Sequence, residues 1–176
     1  MHYRRAKTPG ATYFFTVNLA DRSSDLLVQR INLLRSIINK VKHAHPFVIE
    51  AMVVLPEHCH AVWRLPENDA DYPRRWSLIK TGFSRQIEKS EWISPSRIYK
   101  RERGIWQRRY WEHQIKDDDD FEKHVDYIHF NPVKHNYVNR PVDWPYSTFH
   151  RYVEQGILPE NWAADASVAD FGYGER

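Results

Sequence analysis

The chain has a single cysteine, Cys59, in 176 residues. No intramolecular disulfide can form, which excludes a cystine-stapled fold and fits a reducing compartment. No apolar run approaches the ~20 residues needed to span a bilayer, so no membrane partner is expected. The N-terminus, Met1-His2-Tyr3-Arg4-Arg5, reaches Pro9-Gly10 without an apolar stretch. A secretory leader is therefore not expected, and a cytoplasmic location is. Internal repeats and low-complexity tracts are absent. Neither charge dominates, since 26 bases against 23 acids leave a formal +3. With 41% hydrophobic residues the chain can build one core.

The distribution of charge says more than its total. Lys100, Arg101, Arg103, Arg108 and Arg109 cluster, interleaved with Tyr99, Trp106, Tyr110 and Trp111. A second basic stretch holds Arg74, Arg75, Lys80, Arg85 and Lys89. Basic side chains attract a phosphate backbone and aromatics stack on unpaired bases, so these clusters are candidate nucleic-acid contacts. Solvated faces whose aromatics belong to the core are the alternative.

Periodicity gives the element order. Tyr13–Leu19 is aromatic and β-branched and reads as a strand. Leu27, Ile31, Leu34, Ile38 and Val41 recur at helical spacing, predicting one helix over Asp25–Ala44, with Ser23 or Ser24 available to cap it. Phe47–Leu55 and His58–Leu65 read as strands joined by the tight turn at Pro56-Glu57. A helix is expected over Arg75–Lys89, weakened by Gly82. Ser90–Gly104 reads as irregular and broken by Pro95. A fourth strand is expected over Trp106–Ile115. A helix follows from Asp117 to His129, announced by four aspartates that suit the helix dipole and closed or kinked at Asn131-Pro132. A last short helix is expected at Ser147–Glu154. The order β-α-β-β-α-β-α predicts an α+β fold, an antiparallel sheet with flanking helices whose first six elements match the split βαβ arrangement.

The most telling segment is Val53-Val54-Leu55-Pro56-Glu57-His58-Cys59-His60-Ala61-Val62-Trp63. Side chains repeat direction every second residue of a strand. His58 and His60 should project side by side, as a pincer for one metal ion, with Cys59 turned away. That alternation also argues against Cys59 as a thiol nucleophile, and a buried thiol is the simpler reading. Two histidines that merely cover a sheet face are the bland alternative. A third ligand must come from elsewhere. On the helix from Asp117, at about 100° per residue, Phe121, Val125 and Ile128 form an apolar stripe. His124, Tyr127 and Asn131 form a second stripe beside it. If this helix lies over the third strand, Asn131 could supply an oxygen ligand and Tyr127 a nucleophile.

Taken together these segments are ones seen in a known family. His58-Cys59-His60 resembles the HUH motif, and Tyr127-Ile128-His129-Phe130-Asn131-Pro132-Val133-Lys134-His135 resembles the tyrosine motif of the single-tyrosine HUH transposases. More narrowly, the chain resembles the REP-associated tyrosine transposases. Tyr3-Arg4-Arg5 with Tyr13-Phe14-Phe15-Thr16, Leu55-Pro56-Glu57-His58, Trp106 to His113, His124 to His135 and Trp144-Pro145-Tyr146-Ser147 fit that family in order. Cys59 is less apolar than the usual middle residue of the HUH motif. Asn136 stands where a glycine often follows, and Asn tolerates the left-handed region.

The resemblance implies a ferredoxin-like sheet in a single HUH-type domain, expected over residues 1–155, with 156–176 a tail. It implies single-stranded or hairpin DNA as partner, and so a nucleoid association. A monomer is favoured and a dimer left open. It implies that His58, His60 and Asn131 bind Mg²⁺ or Mn²⁺, and that Tyr127 attacks a phosphodiester to give a 5′-phosphotyrosine and a free 3′-OH. His124 is a candidate supporting residue. Arg4 and Arg5 are further candidate DNA contacts. Tyr110 is the rival nucleophile, weaker because no amide lies one helical turn away. A DNA-binding module that does not cleave, and a phosphodiesterase using metal-bound water, are the competing readings.

Overall fold

The computed structural model describes residues 7–163. Arg4 and Arg5, and the tail beyond residue 163, lie outside the described residues. The β-favouring run after Pro9-Gly10 forms β1 (Thr12–Asn18). The runs either side of Pro56-Glu57 form β2 (Val48–Val54) and β3 (His58–Arg64). The Leu55 amide donates to the His58 carbonyl at 2.8 Å and closes this hairpin. β4 (Trp111–Gln114) completes a sheet of order β2-β3-β1-β4, antiparallel throughout. That is the expected ferredoxin-like order.

Several element bounds differ from expectation, each for a local reason. The helix expected over Asp25–Ala44 is two, α1 (Leu26–Gln29) and α2 (Ile31–Ala44), broken at Arg30 (φ −112°, ψ 30°). The Leu27 amide bonds the Pro56 carbonyl at 3.1 Å, so α1 follows the hairpin turn while α2 follows the sheet. Ser24 Oγ does accept from the Leu26 amide at 3.2 Å. The second long helix, α3, spans Tyr72–Arg85 and starts early. Asp71 caps it through the Arg74 amide, and Pro73 sits in the first turn, where no amide is needed. Pro95, expected to break structure, opens the short α4 (Pro95–Tyr99) for the same reason. β4 is shorter than expected: Trp106 bridges Leu19 and the Gln107 amide bonds the Asn18 carbonyl at 3.0 Å, but the Gln107 carbonyl goes to Lys80 Nζ (2.6 Å) and regular pairing resumes only at Trp111.

The helix from Asp117 runs on through Pro132. This helix, α5 (Asp118–Lys134), is capped by Asp117 Oδ1, which accepts from the Asp120 amide at 2.8 Å. Asp118, Asp119 and Asp120 fill its first turn. Pro132 costs one backbone bond, but its buried ring is held by packing, and the chain turns out of the helix just after its C-cap His135, at Asn136, which takes φ 59°. A 3₁₀ turn (Pro141–Asp143) and α6 (Phe149–Glu154) follow.

Two cores lie on opposite faces of the sheet. On one face α2 and α3 cover Tyr13, Phe15, Val17, Cys59, Ala61 and Trp63, with Trp63 stacked on Trp76 at 4.2 Å. Gly82 lets the two helices close up, since a Cβ there would stand 3.1 Å from Ile37 Cγ2. On the other face Val125, Tyr127 and Ile128 of α5 pack on Phe14, Ala51, Val53, Leu55 and Val62. Each such buried apolar side chain contributes about 1.5–3 kcal/mol, which fixes α5 over β2 and β3.

Candidate active site

Strand alternation and register decide which side chains meet. Across β3 and β1, His60 pairs with Thr16, and Val62 with Phe14. Residues directly opposite share a face, so His58, His60, Thr16 and Phe14 all point at α5. The two imidazoles stand 4.8 Å apart, centre to centre. Cys59 faces the other way into the α2–α3 core, where burial pushes its thiol up to about 12. The thiol is thus protonated and enclosed, and it is turned away from the imidazoles as the alternation predicted.

Tyr127 is on the same face as the His pair. Its ring lies 5.1 Å from that of His60, edge to face, and 5.9 Å from Phe14. Lys134 Nζ stands 4.8 Å from the Tyr127 ring centre. Asn131, one turn from Tyr127, is fully buried. Among the described residues, Nε2 of His58, Nε2 of His60 and both amide atoms of Asn131 are buried without a hydrogen-bond partner. Orphaned buried polar atoms are costly unless something outside the chain satisfies them. Two imidazole lone pairs and a carboxamide oxygen fit a divalent cation by donor type.

The remaining ring nitrogens are held. His58 Nδ1 lies 2.7 Å from Glu57 Oε1, and His60 Nδ1 lies 2.9 Å from Thr16 Oγ1. A carboxylate only accepts, so His58 Nδ1 donates to Glu57, and in the neutral ring Nε2 then keeps its lone pair. Burial disfavours the Glu57 charge, but the hydrogen bond and charge of His58, with Arg22 nearby, outweigh it and hold the carboxyl below its ordinary value. Glu57 is held in turn by Arg22 (3.3 Å) and by the Tyr137 hydroxyl (3.4 Å). Burial, then the charges of His58, His135, Lys134 and Arg22, push His60 well below the usual histidine range, which favours the neutral ring. His135 joins the site beyond the candidate ligands and nucleophile the motifs mark, its ring 5.2 Å from His58. Its signal was the interval of four from Asn131, one more turn of the same helix face.

The other candidates divide. His124 packs on Phe14 at 4.7 Å, beside the site rather than in it. Tyr110 lies near Trp76 and Phe15 on the opposite face, away from the His pair. Lys80, Arg85, Arg101 and Arg108 line a groove of about 420 Å³ with Arg97, which charge clustering had not flagged. Arg74, Lys100 and Arg109 are exposed. Arg75 is a correction. It is 2% exposed, and its guanidinium is spent on Asp69 and the carbonyls of His45, Pro46 and Asp71. Arg103 edges the groove, but its nitrogens are committed to Glu91 and to the carbonyls of Ser84, Ile87 and Glu88. Both hold loops together; burial withdraws Arg75 from a partner, while Arg103 still lines the groove.

No protein-family model matches the chain. A protein of Escherichia coli (strain K12) named REP-associated tyrosine transposase is 48% identical over 174 residues, 99% of this chain and 96% of that one. A Haemophilus influenzae (strain ATCC 51907 / DSM 11121 / KW20 / Rd) protein, provisionally given the same name, is 47% identical over 95% of this chain and 96% of its own length. A solved structure described as a REP-associated tyrosine transposase bound to a REP hairpin matches with a TM-score of 0.84 and 46% identity, covering 100% of this chain and 98% of that one. With the sheet order, the paired imidazoles and the facing tyrosine, this similarity establishes that the chain belongs to the REP-associated tyrosine transposases.

Proposed function

We propose that this protein cuts and rejoins one strand of a hairpin or single-stranded DNA through Tyr127, at a divalent metal held by His58, His60 and Asn131. The observation that carries the reading is the Tyr127 ring 5.1 Å from His60, beside orphaned polar atoms on His58, His60 and Asn131. Mg²⁺ or Mn²⁺ bound there would polarise the scissile phosphate. Two nitrogen donors suit Mn²⁺ better, since Mg²⁺ prefers oxygen.

The phenol, ordinarily of pKa about 10, is a weak nucleophile until its anion is stabilised. The Lys134 ammonium beside the ring favours the phenolate. The phenol proton is lost to water. The phenolate oxygen then forms a bond to phosphorus, and the bond from phosphorus to the upstream 3′ oxygen breaks. That oxygen takes up a proton and leaves as a 3′-OH, while the downstream strand stays as a 5′-phosphotyrosine. A 3′-OH can reverse the step, so joining needs no nucleotide cofactor.

The basic groove lies against α3 and α4, on the side of the sheet away from His58 and Tyr127. DNA that fills both must pass around the sheet, and β4 is one of its edges. Trp111 is exposed there, and Trp92 and Tyr99 are exposed near the groove, offering rings on which unpaired bases can stack. The groove grips phosphates, and the sequence read is set elsewhere.

The test is a labelled hairpin oligonucleotide incubated with protein and Mn²⁺, then run on a denaturing gel. A protein–DNA adduct that disappears in Tyr127→Phe is expected. A free cut strand without adduct would point to metal-bound water as nucleophile. Intact DNA with retained binding would leave only a DNA-binding module.

A further inference from the structure

A second cluster of metal-ligating side chains stands on the same sheet face, outside the site just described. His113 of β4 and Asp120 and His124 of α5 each offer a donor atom within 4.8 Å of the other two. The Phe14 ring separates this cluster from the His pair, 4.7 Å from His124 and 5.5 Å from His60. We propose that His113, Asp120 and His124 form a second metal site, selective for a borderline transition metal such as Zn²⁺, which clasps the edge strand β4 to the first turns of the helix that carries Tyr127.

The donor set is two imidazoles and one carboxylate. Such nitrogen-rich sets suit Zn²⁺, with positions left for water, and disfavour Mg²⁺ and Ca²⁺. The three residues are already drawn together. His113 Nε2 is 2.8 Å from Asp120 Oδ2, and His124 Nδ1 is 3.1 Å from Asp120 Oδ1. The imidazoles stack at 4.8 Å with 17° between their planes, and Trp111 stacks on the outer face of His113 at 5.9 Å. His124 Nδ1 also lies 2.7 Å from the Asp120 backbone carbonyl. A carbonyl cannot donate, so this nitrogen holds the proton and Nε2 keeps its lone pair. The carboxylate is oriented from outside, because the Lys116 amide donates to Asp120 Oδ2 at 2.9 Å. This pattern, ligands held by hydrogen bonds from beyond them, is that of metal sites generally. His113 and Asp120 are partly exposed, so an ion can enter.

On binding, the His113 ring would carry its proton on Nδ1 so that Nε2 is free to ligate, and the ion would replace the hydrogen bond between Nε2 and Asp120. β4 gains only a four-residue ladder from β1, so a cross-link from its His113 to α5 adds a second tie. Nothing in this depends on the tyrosine chemistry proposed above.

The experiment uses metal-free full-length protein carrying His58→Ala and His60→Ala, so the first site does not count. Zn²⁺ is added, excess is dialysed away, and bound zinc and the melting temperature are measured. One Zn²⁺ per chain with a raised melting temperature is expected, and both effects should vanish when Asp120→Asn or His113→Ala is added. A folded double variant that retains no zinc would overturn the proposal and leave the triad a hydrogen-bonded clasp. Should the double variant not fold, His113→Ala alone decides, through loss of one zinc equivalent or an unchanged count. Failure here leaves the Mn²⁺-dependent adduct untouched, so the two readings are tested separately.

Discussion

Glu57 and His58 are consecutive, yet the carboxylate of the first holds Nδ1 of the second at 2.7 Å. The bond is made across the start of β3, where the chain leaves the hairpin turn. It aims Nε2 of His58 toward α5 and makes that nitrogen a better donor.

Replacing Glu57 should therefore act through metal affinity. Losing a partner of this kind typically costs about 10–100-fold. Glu57→Gln keeps an acceptor for Nδ1 and should sit near the lower end, Glu57→Ala near the upper. Adduct formation on a hairpin oligonucleotide, titrated with Mn²⁺, reads the shift. High Mn²⁺ should restore most of the wild-type yield. A loss that no Mn²⁺ concentration repairs would mean that Glu57 serves the fold and not the ion.

Arg75 and Arg85 looked alike in sequence and should behave in opposite ways. Arg75→Ala strands Asp69 and three backbone carbonyls that the guanidinium bridges. Breaking a buried ion pair costs about 3–5 kcal/mol, and the partial exposure of Asp69 places this one near 3 kcal/mol or below. Arg85→Ala removes an exposed groove residue and should change stability by less than about 0.5 kcal/mol. Urea unfolding measures the first effect. The slope of log affinity against log salt for a hairpin measures the second, and should fall by about 0.9 if Arg85 meets a phosphate. An unstable Arg85→Ala, or a stable Arg75→Ala, would reverse the assignments.

This contrast shows what the sequence made legible. Period-two alternation was enough to place His58 and His60 on one face and Cys59 on the other, because strand geometry leaves no freedom there. The helical interval was enough to place Tyr127 and Asn131 together. It was not enough to foresee that α5 continues through Pro132, since tertiary packing holds the ring against the local preference. The direction of a charged side chain was not legible either. Arg75 and Arg103 find Asp69 and Glu91 in segments without periodicity, and nothing local announces such a partner. The cluster of His113, Asp120 and His124 escaped for a related reason. Two of its members are four apart on one helix, but the third arrives from a strand, and only the sheet register brings it there.

The pair Arg103 and Glu91 gives a prediction about acid. The Arg103 hydrogen bond lowers the Glu91 carboxyl from its ordinary 4.5 to about 2, against the opposing effect of burial. A carboxyl depressed on folding adds stability that is complete above its unfolded value. That stability is lost as pH falls through the folded one, because the unfolded chain binds the proton first. The loss should begin below about pH 4.5 and finish near pH 2. Arg103 also bridges the end of α3 to the loop before α4 through three backbone carbonyls. Losing Glu91 as a partner should loosen that wall of the basic groove while the sheet and α5 stay folded. Urea unfolding between pH 5 and pH 2.5 checks the first part, with Glu91→Gln less stable at pH 5 and flatter below it. Hydrogen exchange at residues 87–103 checks the second, since protection there should fall in Glu91→Gln while that of β1 and β3 holds. Parallel acid curves for the two proteins would show that this ion pair contributes nothing to stability.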